Sequence, residues 1–276
     1  MLCRKIFGFD AFSPKEIAER VENVGVVKAR LPLLSMFMLG ILAGAFIGLG
    51  AMCFVLVQSE TGLGFVAGRF IGGLVFSLGL ILVVIAGAEL FTGNNLLVMA
   101  WADGKLKFSE VLRNWIVVAS ANFIGAAGIA LLVYFSGHPD MNGGAVGMTY
   151  VKIAAMKCNL SFLQCFFSGM LCNVLVCLAV WMAQAGRSVV DKVVVIIFPI
   201  TAFVACGFEH SIANMFLIPM GYLLKEANLL VPGAESINFA GFIKNLVPVI
   251  LGNLAGGSLF VSFFYYMIYG RTPKIR

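Results

Sequence analysis

Cys206-Gly207-Phe208-Glu209-His210-Ser211-Ile212-Ala213-Asn214 interrupts an apolar run that extends from about 193 to 222. Non-helical backbone at membrane depth is tolerated only where it is buried in protein or lines a wet cavity. Gly87-Ala88-Glu89-Leu90-Phe91-Thr92-Gly93-Asn94-Asn95 interrupts a second long run, 66–100. Gly-x-Glu, followed five residues later by Asn, recurs between the two at an offset of 120. Both runs are too long for one ordinary span of about 20 residues. Each therefore reads as a helix broken near its middle around a polar segment.

Four cleaner apolar runs complete the set, at 32–57, 112–135, 161–183 and 243–269. The fold expected is an all-α integral membrane protein with six transmembrane helices, the second and fifth broken. Of the 276 residues 61% are hydrophobic and 12% charged, and the mean hydropathy is +1.00. A soluble globule of this size cannot hide so much apolar surface, so an ordinary soluble enzyme is excluded. Twenty-five Phe exclude a disordered chain. The 31 Gly suit helices that approach closely in lipid. Seven Cys without a Cys-x-x-Cys pair support neither a disulfide framework nor a metal site. Cys53, Cys165, Cys172, Cys177 and Cys206 read as small hydrophobes in apolar runs. No cofactor is implied. The basic first 30 residues do not form a signal peptide.

The halves of the chain resemble one another. Arg113-Asn114 with Asn122 and Gly125 in the third span matches Lys244-Asn245 with Asn253 and Gly256 in the sixth, at an offset of 131. More weakly, Gly44 and Gly48 align with Gly169 and Asn173. Three spans per half is an odd number, so the second half must run through the membrane the other way up. The result is a 3+3 inverted repeat, about 31–136 and 157–270, with a path expected at the repeat interface. With both termini cytoplasmic, fourteen Lys and Arg fall inside and five outside, as the positive-inside rule requires. The net charge of +6 is thus a topology signal, and nucleic acid drops out as a partner. The lipid bilayer takes its place, with the plasma (inner) membrane as location. Residues 1–30 form a cytoplasmic segment and 271–276 a cytoplasmic tail. Within the former, Ser13-Pro14-Lys15-Glu16 opens an amphipathic helix at the inner membrane face.

Glu89 and Glu209 are intramembrane carboxylates, which must pair or hydrogen-bond. They read as braces for the restarted half-helices, with a proton relay as the alternative. Two half-helix N-termini facing one path favour an anion. His210 offers a hydrogen bond or a proton at that point, and Thr92 a hydroxyl. His138 reads as an ordinary loop residue. Phe76, Leu80, Leu90, Phe91 and Phe203 surround the polar groups as rings that exclude hydrated ions, or as plain packing. Lys157 reads as a lone base outside the fourth span, either gathering anions at the mouth or snorkelling from a helix end. Asn173 is a polar residue deeper in that span.

The segments Ala88-Glu89-Leu90-Phe91-Thr92-Gly93-Asn94, Lys157, 172–182, 207–215 and 252–257 resemble the formate/nitrite transporter family over about residues 15 to 270. The resemblance implies an aquaporin-like fold and a homopentamer with one pore per protomer. It implies passage of small monovalent weak-acid anions: formate first, with nitrite and hydrosulfide as alternatives. His210 then matches the central pore histidine and Thr92 the facing hydroxyl. Leu80, Leu90 and Phe91 match an inner constriction, and Phe76 and Phe203 an outer one. Lys157 and Asn173 match a vestibule lysine and a polar residue near the histidine. The N-terminal helix resembles one that gates the inner mouth. Gly93 after Thr92 is more usual in nitrite and hydrosulfide members, whereas 216–220 is formate-channel-like. The mechanism expected is proton-coupled passage at low pH, centred on His210. A neutral-solute channel is disfavoured because no Asn-Pro dipeptide occurs, and a membrane enzyme because neither His-Glu-x-x-His nor Gly-x-Ser-x-Gly is present.

Overall fold

A computed structural model describes residues 10–60, 62–227, 229 and 231–270, and every regular element among them is helical. The tail 271–276, and the first nine residues with Arg4 and Lys5, lie outside the described residues.

Helix α1 (Pro14–Ala29) begins at the expected capping box. The Ser13 N–H donates to the Glu16 carboxylate (2.9 Å), and the Glu16 N–H donates to Ser13 Oγ (3.4 Å). Its buried face, Ile17, Val21, Gly25 and Ala29, packs on the protein: a side chain at Gly25 would touch Ala100 and Leu97. Helix α2 (Leu33–Gln58) runs beside α3 (Phe65–Leu82) and α5 (Phe108–Phe135). Between α3 and α5 the chain makes a wide helical turn (Val83–Gly87), an extended stretch, a tight turn (Gly93–Leu96) and the short α4 (Leu97–Ala102).

The second half contains α6 (Ala145–Asn159), α7 (Phe162–Ala183), α8 (Val189–Ala205), α9 (Ser211–Glu226) and α10 (Phe239–Leu254). After α10 the helix widens through Ala255–Phe263 and again through Tyr266–Gly270. Among the described residues, five helical runs are long and apolar enough to cross a membrane: Leu33–Gln58, Phe65–Gly87, Phe108–Phe135, Phe162–Ala183 and Phe239–Gly270. Helices α8 and α9, of 17 and 16 residues, are each short of the ~20 that a span needs. Residues 206–210 separate them.

Helix α6 lies between the third and fourth expected apolar runs, where the sequence reading placed no element. Lys152, Lys157 and Thr149 keep its hydropathy low, and its 15 residues escape a search for span-length runs. It is a packed helix nonetheless, with Val146, Tyr150, Val151 and Ala154 fully buried beside α9. Lys157 and Asn173 therefore lie on different helices, α6 and α7. Cys206 is exposed rather than packed as filler.

Close backbone approach holds the long helices together. A side chain at Gly125 would strike the Ile41 carbonyl of α2, and one at Gly256 the Met170 carbonyl of α7. Outward the surface is a belt of Phe and Leu, with Phe65, Phe135, Phe198 and Phe239 each more than 70% exposed. Exposed apolar area on that scale belongs in lipid, and the chain is an integral membrane protein.

Candidate functional site

Both breaks begin with a glycine. Gly87 and Gly207 have φ of +82° and +75°, left-handed values that a Cβ disfavours. Each turns the chain out of one half-helix and delivers a glutamate two residues later.

Around Glu89, Lys28 Nζ lies 2.9 Å from one carboxylate oxygen, and Asn94 Nδ2 donates to the other at 2.7 Å. Asn94 also donates to Asn114 Oδ1 (2.9 Å), whose amide donates to the Lys28 carbonyl (3.3 Å). Around Glu209 the same circuit closes. Lys157 Nζ is 2.7 Å from the carboxylate and Asn214 Nδ2 2.6 Å. Asn214 donates to Asn245 Oδ1 (2.7 Å), and Asn245 to the Lys157 carbonyl (3.0 Å). Both glutamates are buried. A buried carboxylate is tolerable only when paired and hydrogen-bonded, as both are.

A second pair of asparagines pins the extended strands. Asn122 Nδ2 donates to the carbonyls of Gly40 (2.7 Å) and Glu89 (2.9 Å), and its oxygen accepts the Phe91 N–H (3.0 Å). Asn253 Nδ2 donates to the carbonyls of Gly169 (2.8 Å) and Glu209 (3.1 Å), and its oxygen accepts the Ser211 N–H (3.0 Å). These bonds correct the weak alignment of Gly44 with Gly169. Gly40 is the residue that shares the bonding of Gly169, four positions earlier, at the 129 spacing that also relates Lys28 to Lys157.

Between the breaks, Thr92 Oγ1 and His210 Nε2 are 3.0 Å apart and buried. His210 caps α9: the Ala213 N–H donates to its Nδ1 at 3.1 Å. Nδ1 is thus an acceptor, and the neutral ring carries its proton on Nε2. The bond pattern assigns Nε2–H as donor to Thr92 Oγ1. A second proton, on Nδ1, would break the cap.

A cavity of about 400 Å³ lies beside the first break, lined by Leu80, Leu90, Gly93, Lys28, Glu89 and Asn94 among others. A second, of about 70 Å³, lies at the other break, lined by Phe76, Phe203, His210, Lys157, Glu209 and Asn214 among others. The rings of Phe76 and Phe203 meet edge to face at 5.6 Å, and Phe203 stacks on His210 at 5.9 Å. Phe91 is buried at the first break.

Lys157 is buried and bound to Glu209, not the lone base that the sequence suggested. Asn173 lies behind the loop. It donates to the carbonyls of Asn253 (2.6 Å) and Thr92 (3.3 Å) and to Asn95 Oδ1 (2.9 Å). Cys177, one turn on, bonds the same Thr92 carbonyl through Sγ at 3.4 Å. Sequence reasoning missed Lys28 as the partner of Glu89. The 129 spacing to Lys157 was the available signal. It also missed the loop-holding position of Cys177, although that residue lies in the 172–182 segment, and it missed Arg69, which no motif contains.

The family model described as formate/nitrite transporter matches residues 15–267. The formate channel FocA of Haemophilus influenzae is 40% identical over 268 residues, covering 92% of this chain and 93% of its own. Among solved structures, a pentameric formate channel with formate bound superposes with a TM-score of 0.78 at 40% identity, covering 87% of this chain and 98% of that one. A second, described as an FNT family ion channel, gives 0.81 at 27% identity, covering 92% and 98%.

Proposed function

The chain belongs to the formate/nitrite transporter family, and on that premise we propose that it is a formate channel whose path runs from the larger cavity, between Thr92 and His210, to the smaller one. The observation that carries this reading is the buried 3.0 Å Thr92–His210 contact between two cavities that each hold a lysine–glutamate pair. It is a channel and not an enzyme.

The finer architecture is six spans in a 3+3 inverted repeat of aquaporin type, the fifth span being α8 and α9 together. The duplicated circuits at Glu89 and Glu209 support it, and they extend the repeat to α1 and α6, each with a lysine in its last turn. The channel is a homopentamer, like the formate-bound structure it resembles. It lies in the plasma membrane with both termini cytoplasmic, so the larger cavity opens inward.

The anion leaves water at Leu80, Leu90 and Phe91 on one side, and at Phe76 and Phe203 on the other. A bare carboxylate meets a desolvation cost of several kcal/mol there. The site offsets part of it with donors only: His210 Nε2–H, the Thr92 hydroxyl and the positive N-terminal end of α9. At low pH the acid form crosses more cheaply. Its proton is drawn from water, and the His210–Thr92 pair holds the acid as it forms. Nitrite or hydrosulfide is the second reading, favoured by Gly93 beside Thr92.

Uptake of formate, nitrite and hydrosulfide into proteoliposomes at pH 5 and 7.5 tests the reading. Formate flux is expected to lead and to rise at pH 5. His210→Phe removes the donor and costs about tenfold or more in formate flux at pH 5. An unchanged rate and pH profile in that variant would sink the mechanism. Nitrite or hydrosulfide outrunning formate would overturn the substrate alone.

A further inference from the structure

With Lys157 neutralised by Glu209, the smaller cavity would hold no net charge, yet a second cation lines it. Arg69, near the start of α3, reaches across to the end of α8. Its Nη2 donates to the Val204 carbonyl at 2.7 Å and its Nε to the Ala205 carbonyl at 3.0 Å. They are the last carbonyls of α8, its negative end, and that of Val204 also accepts the Gly207 N–H at 3.0 Å. The Phe54 ring lies 5.7 Å from the guanidinium carbon. Among the described residues, which include all thirteen Asp and Glu of the chain, no carboxylate lies within 4.0 Å of Arg69. Nη1 makes no bond within the described protein. Gly207 leaves room for this arrangement, since a Cβ there would come within 3.0 Å of Nη2.

The larger cavity shows no counterpart among the described residues: its lysine–glutamate pair is neutral in sum, and no basic side chain bonds the carbonyls of residues 84–87 in the wide turn after α3.

We infer that Arg69 supplies the net positive charge of the smaller cavity and draws anions into it. It cancels the carbonyl end of α8 and presents Nη1 to the incoming ion. The inference rests on the path proposed above, and it makes the two mouths electrostatically unequal.

The test is the initial rate of formate uptake into proteoliposomes, well below saturation, at about 10 and 300 mM impermeant salt. The screening length is roughly 30 Å at the lower salt and a few ångströms near the higher. Arg69→Gln keeps a donor for the carbonyls and removes the charge. It is expected to slow uptake about three- to tenfold at low salt and less than twofold at high salt. Arg69→Lys keeps the charge and is expected to retain at least about half the wild-type rate at low salt. Equal losses at both salts in both variants would make Arg69 a structural cap only and overturn the inference, as would no change in Arg69→Gln. A wild-type protein that passes no formate sinks the substrate reading instead, and nitrite then serves as the probe for the same series.

Discussion

The two breaks carry the same circuit of lysine, glutamate and two asparagines, but they differ in how far water reaches it. The Lys157 side chain is 10% exposed beside a 70 Å³ cavity, whereas that of Lys28 is 29% exposed beside one of 400 Å³. Lys157 sits on a helix wedged against α9. Lys28 sits on α1, which is docked from outside the long helices. The second break restarts directly into a long helix, capped by His210. The first restarts through a tight turn and the six-residue α4, and its loop is held from behind by Asn173, Cys177 and Asn95. One brace is thus dry and set in the helix bundle, and the other is wetter and held by a helix packed on its outside. The cost of breaking each should scale with that difference.

Glu209→Gln separates the two most. It leaves the Lys157 ammonium buried and uncompensated, a loss of roughly 3–5 kcal/mol. Glu89→Gln leaves Lys28 free to turn toward water and costs roughly 1–2 kcal/mol. Thermal unfolding in one detergent checks this, and equal drops would remove the distinction between the braces.

Asn122→Leu and Asn253→Leu test what the breaks share. Each removes a second bond from a mid-helix carbonyl and strips the partner from one loop carbonyl and one N–H, at about 1–3 kcal/mol per group left unpaired. Because the bonding is the same, the two variants should lose stability alike, within about 1 kcal/mol. A clearly larger loss in one would show that the duplicated bonds are unequally loaded.

The smallest effect concerns how firmly α1 holds the wet brace. Buried Glu22 of α1 pairs with Lys105, which also lies 3.0 Å from Asp103. Burial pushes the Glu22 carboxyl above its ordinary range, although Lys105 pulls the other way. A carboxyl raised in the docked state binds its proton more tightly there than when released. Docking therefore strengthens as pH falls through that raised value toward the ordinary 4.5 and weakens as pH rises through it. Amide exchange in α1, corrected for its intrinsic rate, should slow as pH falls from neutrality toward 4.5. Glu22→Gln should flatten that trend, and a trend that persists in the variant assigns it elsewhere.

Much of this was legible in the chain. Apolar runs interrupted by Gly-x-Glu and Asn marked both breaks, because polar backbone at membrane depth has few permitted places. His210 and Thr92 stood out as polar groups inside those breaks. Matching Asn at one offset marked the side chains that bond alike at the two breaks, and Ser13 with Glu16 marked the start of α1. Helix α6 was illegible, since its lysines and short length lower the hydropathy while its burial comes from α9.

By itself, then, the sequence determined that the chain lives in lipid, where its helices break, and which polar residues stand in the breaks. Those are consequences of hydropathy and of backbone hydrogen bonding, which act locally. Only the tertiary structure decided who partners whom. It joined Lys28 to Glu89 across 61 positions, Lys157 to Glu209 across 52, and Arg69 to the end of α8 across more than 130. Charge compensation depends on distance in space, so Lys157 changed from a free base into a neutralised one, and the uncompensated charge passed to an arginine that no motif contains.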